Sequence, residues 1–152
     1  AANFNAKGQV VISGEKDAIK NIMVEMLDAG AMKAIELNVS GAFHSPLMSS
    51  AKKILAEKLL SAKINNSKFP VYANVSSKPI SNESEIRKAL IDQLESPVQW
   101  HLIISNMIYD GVKLAIEVGP GRVLKGLSKR IDRSLNMTSI ESHEEIINYQ
   151  YV

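Results

Sequence analysis

The stretch that decides the fold is VSGAFHSPLM, residues 39–48. It follows an apolar run at residues 34–39 that predicts a strand, and Pro46 then opens a helical pattern, since proline is favoured at the first helical position. His44 therefore lies between a strand and a helix, where side chains are displayed rather than buried. Histidine gives or takes a proton near neutral pH, so His44 is a candidate acid–base residue. A structural histidine in a loop explains the spacing equally well.

The segment before this junction is predicted to contain two strands, a helix and a third strand. Residues 3–5 and 9–13 form the first two strands, a hairpin closed by a turn at Gly8. Residues 15–29 carry apolar side chains at helical spacing, and residues 34–39 form the third strand. This order matches the end of a ferredoxin-like β-α-β-β-α-β unit that lacks its first strand and helix.

The segment after the junction alternates helices with strands, which is typical of a parallel α/β sheet. The predicted helices are residues 46–63, 82–94, 96–109 and 122–133, with a short helix beyond 142. The predicted strands are residues 69–75, 113–118 and 137–140. The strand at 113–118 is mostly apolar, as buried parallel strands are. The sequence therefore predicts an α/β fold.

The composition argues against several classes of function. The chain has 152 residues, 45% of them hydrophobic and 22% charged, which are ordinary globular values. A formal charge of +2 without an arginine–aromatic patch gives no support for nucleic-acid binding. There is no cysteine, and His44, His101 and His143 are too dispersed to predict a metal site. No apolar run approaches the length of a membrane span. We therefore expect no nucleic-acid, membrane or metal partner, and a cytoplasmic location.

Four segments, in order, resemble the malonyl-CoA:acyl carrier protein transacylases and the related acyltransferase domains of fatty-acid and polyketide synthases. They are residues 3–14, the stretch 39–48, SPVQW at 96–100 and EVGPGRVL at 117–124. Together they span nearly the whole chain, whereas no single one would suffice. The family's Gly-His-Ser-Leu-Gly nucleophile elbow and Gly-Gln-Gly oxyanion loop do not occur in the sequence. The chain therefore resembles the C-terminal half of such an enzyme.

The resemblance implies both an architecture and a reaction. We expect an incomplete ferredoxin-like α+β subdomain at residues 1–40, followed by the C-terminal part of an α/β-hydrolase-like parallel-sheet subdomain at residues 41–152. The implied reaction is transfer of malonyl from malonyl-CoA to acyl carrier protein in fatty acid biosynthesis. It passes through a malonyl-serine whose serine lies outside this chain, so the isolated chain is expected to be inactive.

The resemblance also implies partners and leaves two alternatives open. The partners are malonyl-CoA, which is a substrate, acyl carrier protein and the missing N-terminal half of the enzyme, and no cofactor is implied. One alternative is a non-catalytic α+β binding module. The other is an acyltransferase domain of a larger synthase. A serine elbow directly upstream in the gene product would separate the enzyme from the binding module.

Four residues are candidates for the site. The resemblance implies that His44 is the base, that Gln99 orients it through a backbone carbonyl, and that Phe43 selects malonyl over bulkier acyl groups. Asn74 is a candidate because ligands of open α/β sheets gather at the carboxyl ends of strands. Ordinary roles remain open for three of them: Gln99 as a helix-start residue, Phe43 as a core side chain and Asn74 as a turn residue.

Two further features each have two interpretations. The turn at residues 119–121, Gly-Pro-Gly before a helix, offers backbone amides to an anion, but it lacks a full Gly-x-Gly-x-x-Gly pattern and is mainly read as a tight turn. The helix at 122–133 has a basic face, which is either solvated or a contact surface for the acidic acyl carrier protein. That face carries Lys125, Lys129, Arg130 and Arg133.

Overall fold

The structure, a computed structural model, describes residues 1–150, which form small sheets connected by helices. The elements before residue 80 are β1 (Asn3–Ala6), β2 (Gln9–Val11), α1 (Lys16–Asp28), a 3₁₀ turn (Pro46–Met48), α2 (Ser49–Ser61), β3 (Val71–Tyr72) and β4 (Pro79–Ile80). The later elements are α3 (Glu83–Asp92), α4 (Trp100–Tyr109), β5 (Leu114–Val118), α5 (Val123–Ile131), β6 (Asn136–Ile140) and α6 (His143–Asn148). The predicted α/β class is confirmed. The second predicted unit extends to residue 152, and its last two residues lie outside the described part.

The strands pair in three two-stranded sheets. β1 and β2 form the predicted antiparallel hairpin, and β5 and β6 run parallel, as predicted, with Leu114 opposite Asn136 and Val118 opposite Ile140. β3 and β4 form a second antiparallel hairpin that the sequence did not predict. Its turn holds Ser77 at a φ of 57°, in the left-handed region. A tight turn thus shortens the strand predicted at residues 69–75 to two residues.

The strand predicted at residues 34–39 is wrong, since this segment forms no strand in the structure. The side chains of Ile35, Leu37 and Val39 are 71%, 52% and 62% exposed. A strand exists only when a neighbour pairs with its backbone N–H and C=O groups, and no described strand pairs with this segment. The ferredoxin-like order is therefore present only as far as α1.

The first predicted unit contacts the second directly. The amide of Phe4 donates to the carbonyl of Val98, and the amide of Val98 donates to the carbonyl of Ala2, both at 2.8 Å. This pairing holds Val98 in extended backbone, so α4 begins at Trp100 and not at residue 96 as predicted. The boundary at residue 40 stays a prediction.

The buried core lies where α4 packs against the parallel pair of strands. Ile104 of α4 is 1% exposed and contacts Leu135, just before β6, and Met137 of β6. Trp100, Met107 and Ile131 close the cluster from the side. This core fixes the start of α4, and with it the segment that leads from α3 into α4. None of the helices within residues 1–150 combines the length and the apolar character that crossing a bilayer requires.

Candidate functional site

The backbone of His44 is held in an uncommon conformation. Its φ is 60°, in the left-handed region that residues with a Cβ atom seldom adopt. The His44 amide donates to the carbonyl of Leu94 at 3.0 Å, and the preceding carbonyl, of Phe43, accepts from the hydroxyl of Ser13 at 2.8 Å. Backbone strain of this kind persists only where the surroundings impose it, and it concentrates at functional sites.

The imidazole ring of His44 is held by backbone carbonyls. Its Nδ1 atom lies 2.9 Å from the carbonyl oxygen of Gln93 and 3.1 Å from that of Ser96. Carbonyl oxygens only accept hydrogen bonds, so this arrangement requires the proton of the neutral ring to be on Nδ1. The lone pair of Nε2 is then available, which is the tautomer that a general base needs.

The prediction that Gln99 orients the histidine is wrong, although the kind of partner, a backbone carbonyl, is right. The carbonyl of Gln99 accepts instead from the amide of Ile103 at 2.9 Å, within the first turn of α4. Its side chain lines an open cleft of about 580 Å³ between the first hairpin and α4. The carbonyls that contact Nδ1 are those of Gln93 and Ser96, which lie six and three residues earlier in the chain.

The turn after the histidine is closed by Ser45, whose side chain is 7% exposed. Its hydroxyl donates to the carbonyl of Ala42 at 2.6 Å and accepts from the amide of Leu47 at 3.3 Å. Pro46 occupies the first helical turn, as predicted. The small residues of this stretch therefore build the turn that displays His44.

Phe43 and Asn74 lie in different surroundings. Phe43 is 46% exposed, so it is not a core residue, and its ring lies near Gly41. Asn74 is half-buried in a small pocket of about 140 Å³ whose lining includes Gln93. The structure thus places Asn74 and Gln93 on the lining of one pocket, and it leaves Phe43, the residue before His44 in the chain, exposed.

A cluster of ion pairs that the sequence did not predict lies beside this segment. The Lys52 ammonium is 2.7 Å from a carboxylate oxygen of Glu95 and 3.5 Å from one of Asp92, which also pairs with Lys88. Glu95 holds the pKa of Lys52 above its usual value. Lys88, and then Lys52, hold the pKa of the Asp92 carboxyl below its usual value. The cluster therefore keeps its opposite charges at neutral pH.

The amides near the Gly-Pro-Gly turn are used within the protein, which supports the tight-turn interpretation over the anion site. The amides of Leu124 and Lys125 each donate to the Glu117 carboxylate at 2.9 Å. The amide of Gly121 donates to Glu141 at 3.2 Å. Arg122, and then this amide, hold the pKa of the Glu141 carboxyl below its usual value.

The basic face of α5 is only partly free for a partner. Arg130 donates to the side chain of Gln9 and to the carbonyl of Lys7, so this residue ties α5 to the first hairpin. Residues 1–150 contain no group of three or more histidine, aspartate or glutamate side chains arranged to hold a metal ion.

The fold and the carbonyl-held histidine point to one class of protein, and comparison with known families agrees. Residues 1–146 match the model of the acyl transferase domain, so the chain belongs to this family. Among curated relatives, it is 40% identical over 145 residues to the malonyl CoA-acyl carrier protein transacylase of Bacillus subtilis, covering 95% of this chain and 46% of that protein. It is 44% identical over 140 residues to the protein of the same name from Haemophilus influenzae, covering 92% of this chain and 45% of that protein.

Solved structures show the same similarity. An acyl carrier protein S-malonyltransferase from Vibrio cholerae superposes with a TM-score of 0.90 at 40% identity, covering 96% of this chain and 48% of that one. A malonyl-transacylase solved in complex with a type II polyketide synthase acyl-carrier protein superposes with a TM-score of 0.91 at 39% identity, covering 96% and 47%. The chain therefore spans about half the length of the relatives that it matches.

Proposed function

We propose that this chain supplies the histidine-bearing part of a malonyl-CoA:acyl carrier protein transacylase. The enzyme transfers malonyl from malonyl-CoA to the phosphopantetheine thiol of acyl carrier protein in fatty acid biosynthesis. The observation that supports this best is the imidazole of His44, which two backbone carbonyls hold in the tautomer of a general base. The similarity to transacylases over 95% of the chain supports the choice of substrate.

The proposed mechanism has two half-reactions. In the first, Nε2 of His44 accepts the proton of a serine hydroxyl as the serine attacks the thioester carbonyl of malonyl-CoA. The tetrahedral intermediate collapses, and the leaving thiolate of coenzyme A takes the proton from His44. In the second, His44 accepts the proton of the carrier thiol as the thiol attacks the malonyl-serine ester. His44 then returns this proton to the oxygen of the departing serine. The serine and the oxyanion donors come from outside this chain.

The roles of the other site residues follow from their positions. The carbonyls of Gln93 and Ser96 fix the histidine tautomer without adding a buried negative charge to the site. Phe43 is placed to limit the size of the acyl group, and Asn74 lines the pocket beside Gln93. Like the role of His44, these assignments are proposals for the intact enzyme.

The proposed partners are malonyl-CoA, acyl carrier protein and the serine-bearing part of the enzyme, in the cytoplasm. Residues 34–39 support a contact with the serine-bearing part of the enzyme, because their apolar side chains are exposed and their backbone has no strand partner in the described chain. A neighbouring strand from the serine-bearing part would satisfy both needs. No cofactor is required, since acyl transfer through a serine ester is complete with these groups.

The proposal is tested by supplying the missing nucleophile. When these 152 residues are joined to a serine-bearing transacylase segment, malonyl-CoA should leave one malonyl ester on the serine, and added acyl carrier protein should remove it. The chain alone should acquire no ester and transfer nothing. Intact-mass spectrometry before and after addition of carrier protein measures both steps. A joined protein that folds yet takes up no malonyl would overturn the proposal and favour the binding-module alternative.

Replacing Phe43 with serine should weaken the selection between acyl groups. Methylmalonyl carries an extra methyl next to the thioester, close to the nucleophile and to His44, and the exposed Phe43 ring occupies space beside the histidine. One methyl in a shaped pocket contributes about 1–3 kcal/mol, or roughly 10–200-fold in discrimination. We expect the intact enzyme to prefer malonyl-CoA over methylmalonyl-CoA. Phe43→Ser should reduce the ratio of the two kcat/KM values by raising kcat/KM for methylmalonyl-CoA.

Competition kinetics with the two thioesters measures this selection, with a melting curve of the variant as the control for folding. An unchanged ratio of the two kcat/KM values in a folded variant would rule out the steric explanation. Since Phe43 is 46% exposed, we expect little change in melting temperature.

A further inference from the structure

We propose that Lys52 is a positioning residue of the transacylase: it holds residues 92–96, which we call the carbonyl segment, against α2 so that their carbonyls fix the imidazole of His44. This inference rests on the proposed function, because it assigns Lys52 a part in presenting the base.

The Lys52 ammonium pairs with the residue immediately before each of the two residues whose carbonyls contact His44. Asp92 lies just before Gln93, and Glu95 lies just before Ser96, the two residues whose carbonyls contact Nδ1. One cation therefore pairs with carboxylates at both positions, at 3.5 Å and 2.7 Å.

The carbonyl segment also holds the backbone of the histidine. Between the two carboxylates lies Leu94, whose carbonyl accepts from the His44 amide at 3.0 Å. Three contacts on His44 thus come from Gln93, Leu94 and Ser96, which lie between the end of α3 and the start of α4. The start of the carbonyl segment is tied to α3, since the Gln93 amide donates to the carbonyl of Ala89, whereas Leu94 and Ser96 lie beyond the helix.

Lys52 and His44 both lie on the chain segment that forms α2 and the turn before it, whereas their partners lie on the carbonyl segment. Lys52 is in the first turn of α2, and only the 3₁₀ turn of Pro46–Met48 separates that helix from His44. The position of α2 therefore determines where the His44 ring lies and where the Lys52 ammonium pairs with the carbonyl segment. Because α2 and the turn before it carry both Lys52 and His44, the ion pairs of Lys52 with the carbonyl segment control the distance between Nδ1 and its two acceptors.

The surroundings of Lys52 make this role stronger than that of an ordinary surface lysine. Its side chain is 27% exposed, and those of Asp92 and Glu95 are each 26% exposed, whereas Lys88 is 78% exposed. Exposed ion pairs are weak and are screened by salt. A lysine side chain that is less exposed and is shared by two carboxylates is restricted in geometry by both partners.

The kinetic test uses Lys52→Met in the intact enzyme, since methionine keeps the length of the side chain and removes its charge. We expect kcat to fall about tenfold with KM for malonyl-CoA unchanged, because small displacements of a catalytic group cost turnover more than binding. Lys52→Arg should restore most of the loss, since arginine can pair with both carboxylates. The matched control is Lys53→Met, whose exposed side chain makes no ion pair or hydrogen bond within residues 1–150.

A second measurement reports the histidine itself and does not depend on activity. Nitrogen-15 NMR of the neutral His44 ring, in the 152-residue chain, should show the Nδ1–H tautomer in the wild type and a rise of the Nε2–H tautomer in Lys52→Met. A folded Lys52→Met variant with unchanged kcat and unchanged tautomer would overturn the inference. A wild-type enzyme that transfers no malonyl would instead overturn the proposed function, while the NMR result would still decide whether Lys52 positions the ring.

Discussion

Replacing His44 with alanine should lower the turnover of the intact transacylase by about 10²–10⁴, the usual range for a positioned general base. The physical reason lies in the tautomer: the carbonyls of Gln93 and Ser96 accept the Nδ1 proton, which leaves Nε2 free for the proton transfer that we propose. Without the imidazole, the serine would have to attack as a neutral hydroxyl, and the thiolate of coenzyme A would leave without a proton donor. Binding of malonyl-CoA should change far less than turnover.

The measurement is the rate of malonyl-serine formation in a single turnover, followed by rapid quenching. His143→Ala is the matched control, because His143 is an exposed histidine at the start of α6 with no role in the proposed site, and its rate should equal that of the wild type. Serine acylation at a near-normal rate in His44→Ala would return His44 to a purely structural role.

Replacing Ile104 with alanine should produce the largest loss of stability from a single side chain. Ile104 is 1% exposed and lies at the centre of the core between α4 and the β5–β6 pair, where it contacts Leu135 and Met137. Truncating a buried isoleucine removes apolar contacts and leaves a cavity, which together cost about 2–5 kcal/mol. That loss is a large part of the ~5–15 kcal/mol that stabilises a typical domain.

Urea unfolding followed by circular dichroism measures the change in the free energy of unfolding. Leu102→Ala is the control, because Leu102 is on the same helix with its side chain 46% exposed, and its effect should stay below about 1 kcal/mol. Equal losses in the two variants would contradict a core centred on Ile104.

Elements whose signals are local were predicted well. The hairpin of β1 and β2, helix α1 and the parallel pair β5–β6 all lie where the periodicity of apolar residues indicated. The helix predicted to start at residue 82 begins at Glu83, and the side chain of Asn82 caps it by accepting from the amide of Ser84 at 2.8 Å. Each element depends on residues close together in the chain, so the sequence carries the information directly; only the pairing of β5 with β6 joins segments on either side of α5.

Elements that need a distant partner were predicted badly. Residues 34–39 have the apolar pattern of a strand but find no pairing neighbour among the described strands, and residues 96–99 have a helix-start pattern but are drawn into pairing with β1 through Val98. In both cases the local propensity is real, and the presence or absence of a backbone hydrogen-bond partner decides the outcome.

The sequence by itself determined the α/β class, and it selected His44 through the resemblance of residues 39–48 to the transacylase segment, since the spacing alone left a structural histidine equally open. The tertiary structure alone decided which groups hold that histidine. Backbone carbonyls are the same in every residue, so nothing in the side chains of Gln93, Ser96 or Gln99 indicates whose carbonyl reaches Nδ1. That choice depends on how residues 92–96 leave α3 and pack against α2, with the Lys52 ion pairs between them.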